Sequence, residues 1–159
     1  MITQTKNKFL ENRGSNYTIY DYRDYDIEFV QDKISKSFQG VIRGFHGDHK
    51  TWKLITCLYG KIKLVTYDIE TDERNEFFLD GDDKDSVSVL VQPGVLNAHQ
   101  CLSLNCIFHY KCSEYYTSPE DQFSIHYNDK TINPRWFNLP PIVSERDKNS
   151  KSLQDFKNA

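Results

Sequence analysis

Two short stretches hold most of the side chains able to move a proton. The first, Gly40-Val41-Ile42-Arg43-Gly44-Phe45-His46-Gly47-Asp48-His49-Lys50-Thr51-Trp52-Lys53-Leu54, places two imidazoles among three cations. Imidazole changes charge near neutral pH, and an ammonium or guanidinium steadies negative charge that develops on an oxygen. The combination suits acid–base chemistry on an anionic ligand. On an extended strand Arg43 and Phe45 point to one face and His46 to the other, Gly47 marks a bend, and His46 and Lys53 fall on consecutive strands. The second stretch, Val91-Gln92-Pro93-Gly94-Val95-Leu96-Asn97-Ala98-His99, reads as a strand ending in a Pro-Gly turn that delivers His99 after a short loop. A lone histidine is often only a hydrogen-bonded polar residue, so the surrounding elements must decide between the two roles.

Those elements are strands. From Ile27 to Tyr127, runs rich in Val, Ile, Leu, Phe and Tyr are cut at intervals by Gly, Pro, Asn and Asp, and helical periodicity is nearly absent. The clearest runs are Ile27–Val30, Gly40–Phe45, Trp52–Leu58, Lys61–Ile69, Glu76–Leu79, Ser86–Val91, Cys106–Cys112 and Phe123–Tyr127. Even spacing of this kind predicts a sandwich or barrel whose inward faces enclose a cavity. Tyr59-Gly60 reads as a hairpin turn, and Asp80-Gly81-Asp82-Asp83 as an acidic loop whose Gly supplies a positive φ. Asn133 to Pro141, with three prolines, Trp136 and Phe137, predicts an ordered surface loop. The charged segment from Ser144 predicts a short, fraying helix.

The chain has 159 residues, a length that suits one domain. Its aromatic fraction of 14% opposes disorder. A formal charge of −3, with both signs mixed and no basic block, argues against a nucleic-acid partner. No apolar run reaches membrane-spanning length and Met1 to Lys8 is too polar for a signal-peptide core, so a cytoplasmic protein with no membrane partner is expected. Cys57, Cys101, Cys106 and Cys112 include no C-x-x-C pair and read as buried, reduced thiols.

The two histidine clusters on a strand-rich chain suggest a cupin. Metal-binding cupins need closely spaced histidines with a glutamate, whereas His46 and His49 have the wrong spacing, no Glu follows, and Lys53 stands near where it would be expected. An ammonium beside a divalent ion is unfavourable, so a metal is not expected.

From Arg13 to Asp147 the sequence resembles the dTDP-4-dehydrorhamnose 3,5-epimerase family, metal-free cupins that act on nucleotide-linked 4-keto-6-deoxy sugars. The resemblance rests on Arg13-Gly14, Glu28 to Asp32, Ser35-Lys36-Ser37, Gly40 to His46, Lys53-Leu54, His99, Tyr110-Lys111, Tyr115-Tyr116, Asn128-Asp129 and Pro141 to Asp147. The run His46 to Leu54, with Asn97-Ala98-His99, resembles more closely a bacterial subgroup acting on GDP-linked 4-keto-6-deoxy heptoses for surface polysaccharides. The implied fold is a single antiparallel β jelly-roll (cupin) domain over residues 1–159, with an N-terminal arm at 1–12, a C-terminal tail at 148–159, and a homodimer as the assembly.

The implied chemistry is epimerisation at C3, C5 or both, next to the C4 ketone. By this resemblance His46 is the base, supported by Asp147, Tyr110 is the acid on the opposite face, and Lys53 is the cation beside the enolate oxygen. Arg13, Gln31, Arg43, His99 and Tyr116 fall on positions that hold the nucleotide sugar, with Tyr116 stacking on the base. Gly47-Asp48 replaces the family's usual residues after the histidine, and the following segment is shorter. The N-terminal arm is abbreviated by the same comparison. Whether the carrier is dTDP, GDP or CDP stays open, as does hexose against heptose. A cupin 3,4-ketoisomerase and a non-catalytic sugar-nucleotide-binding cupin are the alternatives.

Overall fold

The computed structural model describes residues 2–159 and is almost entirely β. Two five-stranded antiparallel sheets face each other as a jelly roll, in the order β1-β9-β6-β11-β4 and β12-β5-β10-β7-β8. The first contains β1 (Ile2–Gln4), β9 (Val87–Val91), β6 (Lys53–Tyr59), β11 (Asn105–Cys112) and β4 (Gln31–Phe38). The second contains β12 (Phe123–Ser124), β5 (Ile42–Gly47), β10 (Val95–Cys101), β7 (Lys61–Asp68) and β8 (Arg74–Asp80). A hairpin of β2 (Lys6–Glu11) and β3 (Gly14–Thr18) stands apart from both. Short helices α1 (Tyr22–Tyr25), α2 (Glu145–Lys148) and α3 (Leu153–Lys157) complete the chain. Among the described residues no helix is long and apolar enough to cross a membrane.

Two apolar layers hold this arrangement. Between the sheets, Ile55, Cys57, Leu64, Val89, Cys106 and Phe108 interdigitate. On the outer side of the second sheet, Phe45, Val65, Leu96 and Ala98 pack against Ile125, Ile132 and Leu153 of the C-terminal segment. The second sheet is therefore covered on both faces, which explains why every residue from Ile62 to Tyr67 of β7 is buried rather than every second one. Burial of Leu153 alone contributes roughly 1.5–3 kcal/mol, and Ser152 and Ser144 cap the two helices that it anchors. The segment expected to fray is thus two docked helices. All four cysteines are free and buried, as expected.

Several expectations need correction. Gly60 does not close a hairpin: β6 and β7 lie in different sheets, so the turn carries the chain across the barrel. Gly81 has no positive φ; a Cβ there would lie 2.4 Å from the backbone nitrogen of Tyr59, so close approach is what requires glycine. Ile27–Val30 is not a strand, and Phe123–Tyr127 shortens to Phe123–Ser124 with an isolated bridge at Ile125. The stretch around His99 is not a loop but the central strand β10. The Asn133 to Pro141 loop is ordered as expected, held by Gln100, whose side chain bonds the backbone N–H and C=O of Phe137.

The placement of Arg43, Phe45 and His46 also differs from simple alternation. Against β10, Asn97 pairs with His46 and His99 with Arg43, so three steps on β5 oppose two on β10. That one-residue bulge reverses parity between the two pairs. Arg43 and His46 both face the interior between the sheets, while Phe45 enters the outer apolar layer. Gly44 sits in the bulge at φ +116°, and a Cβ on it would lie 2.5 Å from the Asn97 carbonyl oxygen and 2.7 Å from Ala98 Cα. Gly44→Ala is therefore expected to destabilise the protein by at least about 2 kcal/mol. That corresponds to a fall in Tm of at least ~4 °C in a thermal melt; an unchanged Tm would contradict this reading of the bulge.

Candidate active site

At one end of the barrel the inward apolar positions give way to polar ones and enclose a cavity of about 570 Å³. Its two walls come from different sheets. One is built by Arg43 and His46 of β5 with Asn97 and His99 of β10. The facing wall is built by Lys33 and Ser35 of β4, Lys53 of β6, and Phe108 and Tyr110 of β11. Lys53 pairs with Cys112, and Tyr110 lies two residues before Cys112 on the same face, so ammonium and phenol project side by side. Asp147, from α2, closes the end.

Asp147 is buried and doubly bound. Its Oδ1 lies 2.6 Å from His46 Nε2, and its Oδ2 accepts from the Gly44 N–H at 3.2 Å. The bulge therefore turns His46 into the cavity and also presents the N–H that fixes its carboxylate partner. Burial alone raises the Asp147 carboxyl, but the hydrogen bond and charge of His46, with bonds from Gly44 and Ser144, outweigh it and hold the group below the ordinary carboxylate range. With Nε2 engaged, the other ring nitrogen of His46 has no hydrogen-bond partner among the described residues.

The remaining polar groups are set by burial. Tyr110 is pushed up to about 12, chiefly by desolvation, with Cys112 and Tyr116 adding and Arg43 opposing, so its hydroxyl keeps its proton at neutral pH. Desolvation lowers the Lys53 ammonium, an effect that Asp48 opposes. His99 is lowered to about 3 by burial and by nearby Arg43 and His46, which keeps it neutral. Its ring stacks on Phe108 at 3.9 Å and 9°, and its buried Nε2 has no hydrogen-bond partner among the described residues. A buried polar atom without a partner is costly, so a ligand oxygen at this point would be favoured.

Charge points to the kind of ligand. The lining carries four cations, Lys33, Arg43, Lys53 and Arg146, against the single carboxylate of Asp147, in a chain whose net charge is −3. Such local concentration of positive charge favours an anion such as a diphosphate. Tyr116 lines the same cavity with the Lys33 ammonium 3.5 Å from its ring centroid.

Two expected residues do not line it. Gln31 accepts from the Tyr116 backbone N–H at 2.9 Å and so holds that residue rather than contacting the cavity. Arg13 is exposed at the β2–β3 turn, paired with Glu11, away from its own chain's cavity. His49 lines a neighbouring cleft of about 430 Å³ that shares Lys53 and Tyr110, with its ring edge-on to Phe123 at 4.6 Å. Lys33, Asn97 and Arg146 were not singled out from the sequence. Period-two alternation carries the signal for the first two, because Lys33 shares a face with Gln31 and Asn97 shares one with His99. Among the described residues no three His, Cys, Asp or Glu side chains converge as a metal site would require.

A jelly-roll cavity with a carboxylate-bound histidine on one sheet and a tyrosine on the other defines a cupin whose pocket carries groups able to move protons. The chain belongs to the dTDP-4-dehydrorhamnose 3,5-epimerase family, whose sequence model matches residues 1–155. It is 29% identical over 167 aligned positions to the dTDP-4-dehydrorhamnose 3,5-epimerase of Methanothermobacter thermautotrophicus, covering 98% of this chain and 86% of that protein. The crystal structure of the Elizabethkingia anophelis dTDP-4-dehydrorhamnose 3,5-epimerase is similar at a TM-score of 0.78 and 31% identity, covering 97% of this chain and 91% of the other. A Legionella pneumophila dTDP-6-deoxy-D-glucose-3,5-epimerase, solved with dTDP-4-keto-L-rhamnose, aligns at a TM-score of 0.85 and 26% identity over 97% and 94%.

The contact between Asp147 and His46 makes a pH-dependent prediction. A carboxylate favoured by the folded state contributes fully above its unfolded value near 4 and is lost as pH falls through its lower folded value. Between about pH 5 and about pH 3, Tm should therefore fall more steeply for the wild type than for Asp147→Asn. Equal slopes in melts across that range would show that the pair does not favour the folded state.

Proposed function

We propose that the protein inverts C3, C5 or both of a nucleotide-linked 4-keto-6-deoxy sugar, without a metal or other cofactor. One observation carries the reading: a base candidate and a proton-donor candidate stand on opposite walls of one cavity, with an ammonium beside the donor. A ketone at C4 acidifies the C–H bonds at C3 and C5. His46 takes one of these protons, the electron pair moves onto the C4 oxygen, and Lys53 steadies the resulting enolate. Tyr110 then returns a proton to the same carbon from the other face, which inverts the centre. Solvent restores the tyrosine proton and removes the one held by His46.

The cationic mouth formed by Lys33, Arg43 and Arg146 would take the diphosphate, and Tyr116 the base. His99, neutral and lacking a partner, would donate to a phosphate or sugar oxygen. The relatives described above are dTDP-sugar enzymes, so dTDP is the carrier we propose. The resemblance to GDP-heptose enzymes rests on residues 46–54 and 97–99 alone and makes GDP the competing carrier to test. Arg13 lies outside its own cavity and could meet substrate only in a second subunit. We therefore propose a cytoplasmic homodimer acting in surface-polysaccharide sugar synthesis.

Incubation with dTDP- and GDP-linked 4-keto-6-deoxy sugars in D2O, followed by NMR at C3 and C5, tests this directly. Deuterium should enter at least one position, and exchange should persist after exhaustive chelation. His46→Ala is expected to slow exchange roughly 10²–10⁴-fold. Tyr110→Phe should retain washout of the substrate proton while losing inversion, with a melt to confirm folding. Normal exchange in His46→Ala, or normal inversion in Tyr110→Phe, would remove that residue from the mechanism.

A further inference from the structure

Asn97 occupies the point where the two walls of the cavity meet. On β10 it pairs with His46 of β5, immediately beside the bulge, and its side chain reaches across to the opposite sheet. There its Oδ1 accepts from Lys53 Nζ at 3.4 Å, and both residues line the cavity. Lys53 is only 5% exposed, and Asn97 is the one side chain to which its ammonium donates a hydrogen bond among the described residues. A buried ammonium has three donors to satisfy and loses stability for each one left unpaired. It also has a flexible four-carbon stem, so without an acceptor nothing fixes where the charge points.

We propose that Asn97 is a positioning residue for Lys53: its side-chain carbonyl anchors the ammonium at the place where the substrate's C4 oxygen lies, level with His46. This deepens the epimerase reading and rests on it for the role of Lys53, although the Asn97–Lys53 coupling itself does not require a substrate. Asparagine fits the task because its carbonyl accepts from the ammonium while its amide N–H stays available to the cavity. A carboxylate there would neutralise the charge that the enolate needs, and an apolar residue would leave it unanchored.

The charged and titratable groups around Lys53 include Lys33 on β4, His46 on β5, Asp48, His49 and Lys50 on the preceding loop, Tyr110 and Cys112 on β11, and Glu114, Tyr115, Tyr116 and Asp121 across the neighbouring cleft. None of these changes in a substitution at Asn97, so the titration of Lys53 isolates its effect. An acceptor lost lowers an ammonium's titration midpoint, and a carboxylate gained raises it. By 15N NMR of the lysine ammonium in the substrate-free protein, Asn97→Ala should lower the Lys53 midpoint by about one pH unit and Asn97→Asp should raise it by at least as much.

In the exchange assay, Asn97→Ala should reduce kcat about tenfold with little change in KM, and its alkaline limb should move to lower pH. Asn97→Asp should move that limb to higher pH. The aspartate is nearly isosteric, so it serves if the alanine variant melts early. An identical Lys53 midpoint in wild type and Asn97→Asp would overturn the proposal. A wild-type protein that exchanges no sugar proton, yet shows the two opposed shifts, would instead overturn the epimerase reading and leave the anchoring intact.

Discussion

The extra residue that β5 carries against β10 puts Arg43 and His46 on one face although they are three apart, and sends Phe45 to the other. In a regular strand Arg43 and His46 would face opposite ways, so either the arginine or both His46 and Phe45 would be misplaced. The bulge also frees the Gly44 N–H from the ladder to bind Asp147, so the same distortion that aims His46 into the cavity recruits its carboxylate partner. Only glycine tolerates the position, because β10 passes too close for a Cβ. Backbone geometry at one residue thus precedes the chemistry of several side chains.

Around that point the jelly roll divides its labour by layer. The interior between the sheets is apolar over most of its length and polar at one end, where two facing walls of strands carry most of the cavity's polar groups and the segments around Tyr116 and Ile142 to Asp147 complete its rim. The outer layer, where Phe45 and Leu96 meet Ile132 and Leu153, docks the C-terminal segment and with it α2. The carboxylate that supports His46 is therefore held by packing well away from the reacting atoms. Burial does the rest: the surroundings that keep Tyr110 protonated and His99 neutral also deprive Lys53 of water and make the Asn97 acceptor matter.

Much of this was legible in the residues. Apolar runs such as Lys61 to Ile69 and Cys106 to Cys112 announced central strands, and the resemblance named His46, Lys53, Tyr110 and Asp147, which one cavity does bring together. What escaped was polar strand. β4 is an edge strand with one face to solvent and one to a polar cavity, so Gln31 to Ser37 lacks the apolar alternation by which strands are found. β10 was hidden in the same way by Asn97, His99 and Gln100. The bulge was invisible because alternation assumes regular pairing, and the pairing partner lies 50 residues away in sequence, roughly the separation of Asn97 and His46. Asn97 was missed for the same reason: its importance comes from a residue on the opposite sheet.

The order in which the molecule is assembled follows from where Asp147 lies in the chain. Every strand of both sheets precedes it, as do His46, Lys53 and Tyr110. During synthesis the sheets can pair before α2 has emerged, and at that stage the histidine has no carboxylate beside it. The outer apolar layer is also incomplete until Leu153 arrives. Closing that layer and joining Asp147 to His46 both wait for the C-terminal segment, so a half-made chain carries a barrel in which the histidine still lacks its carboxylate.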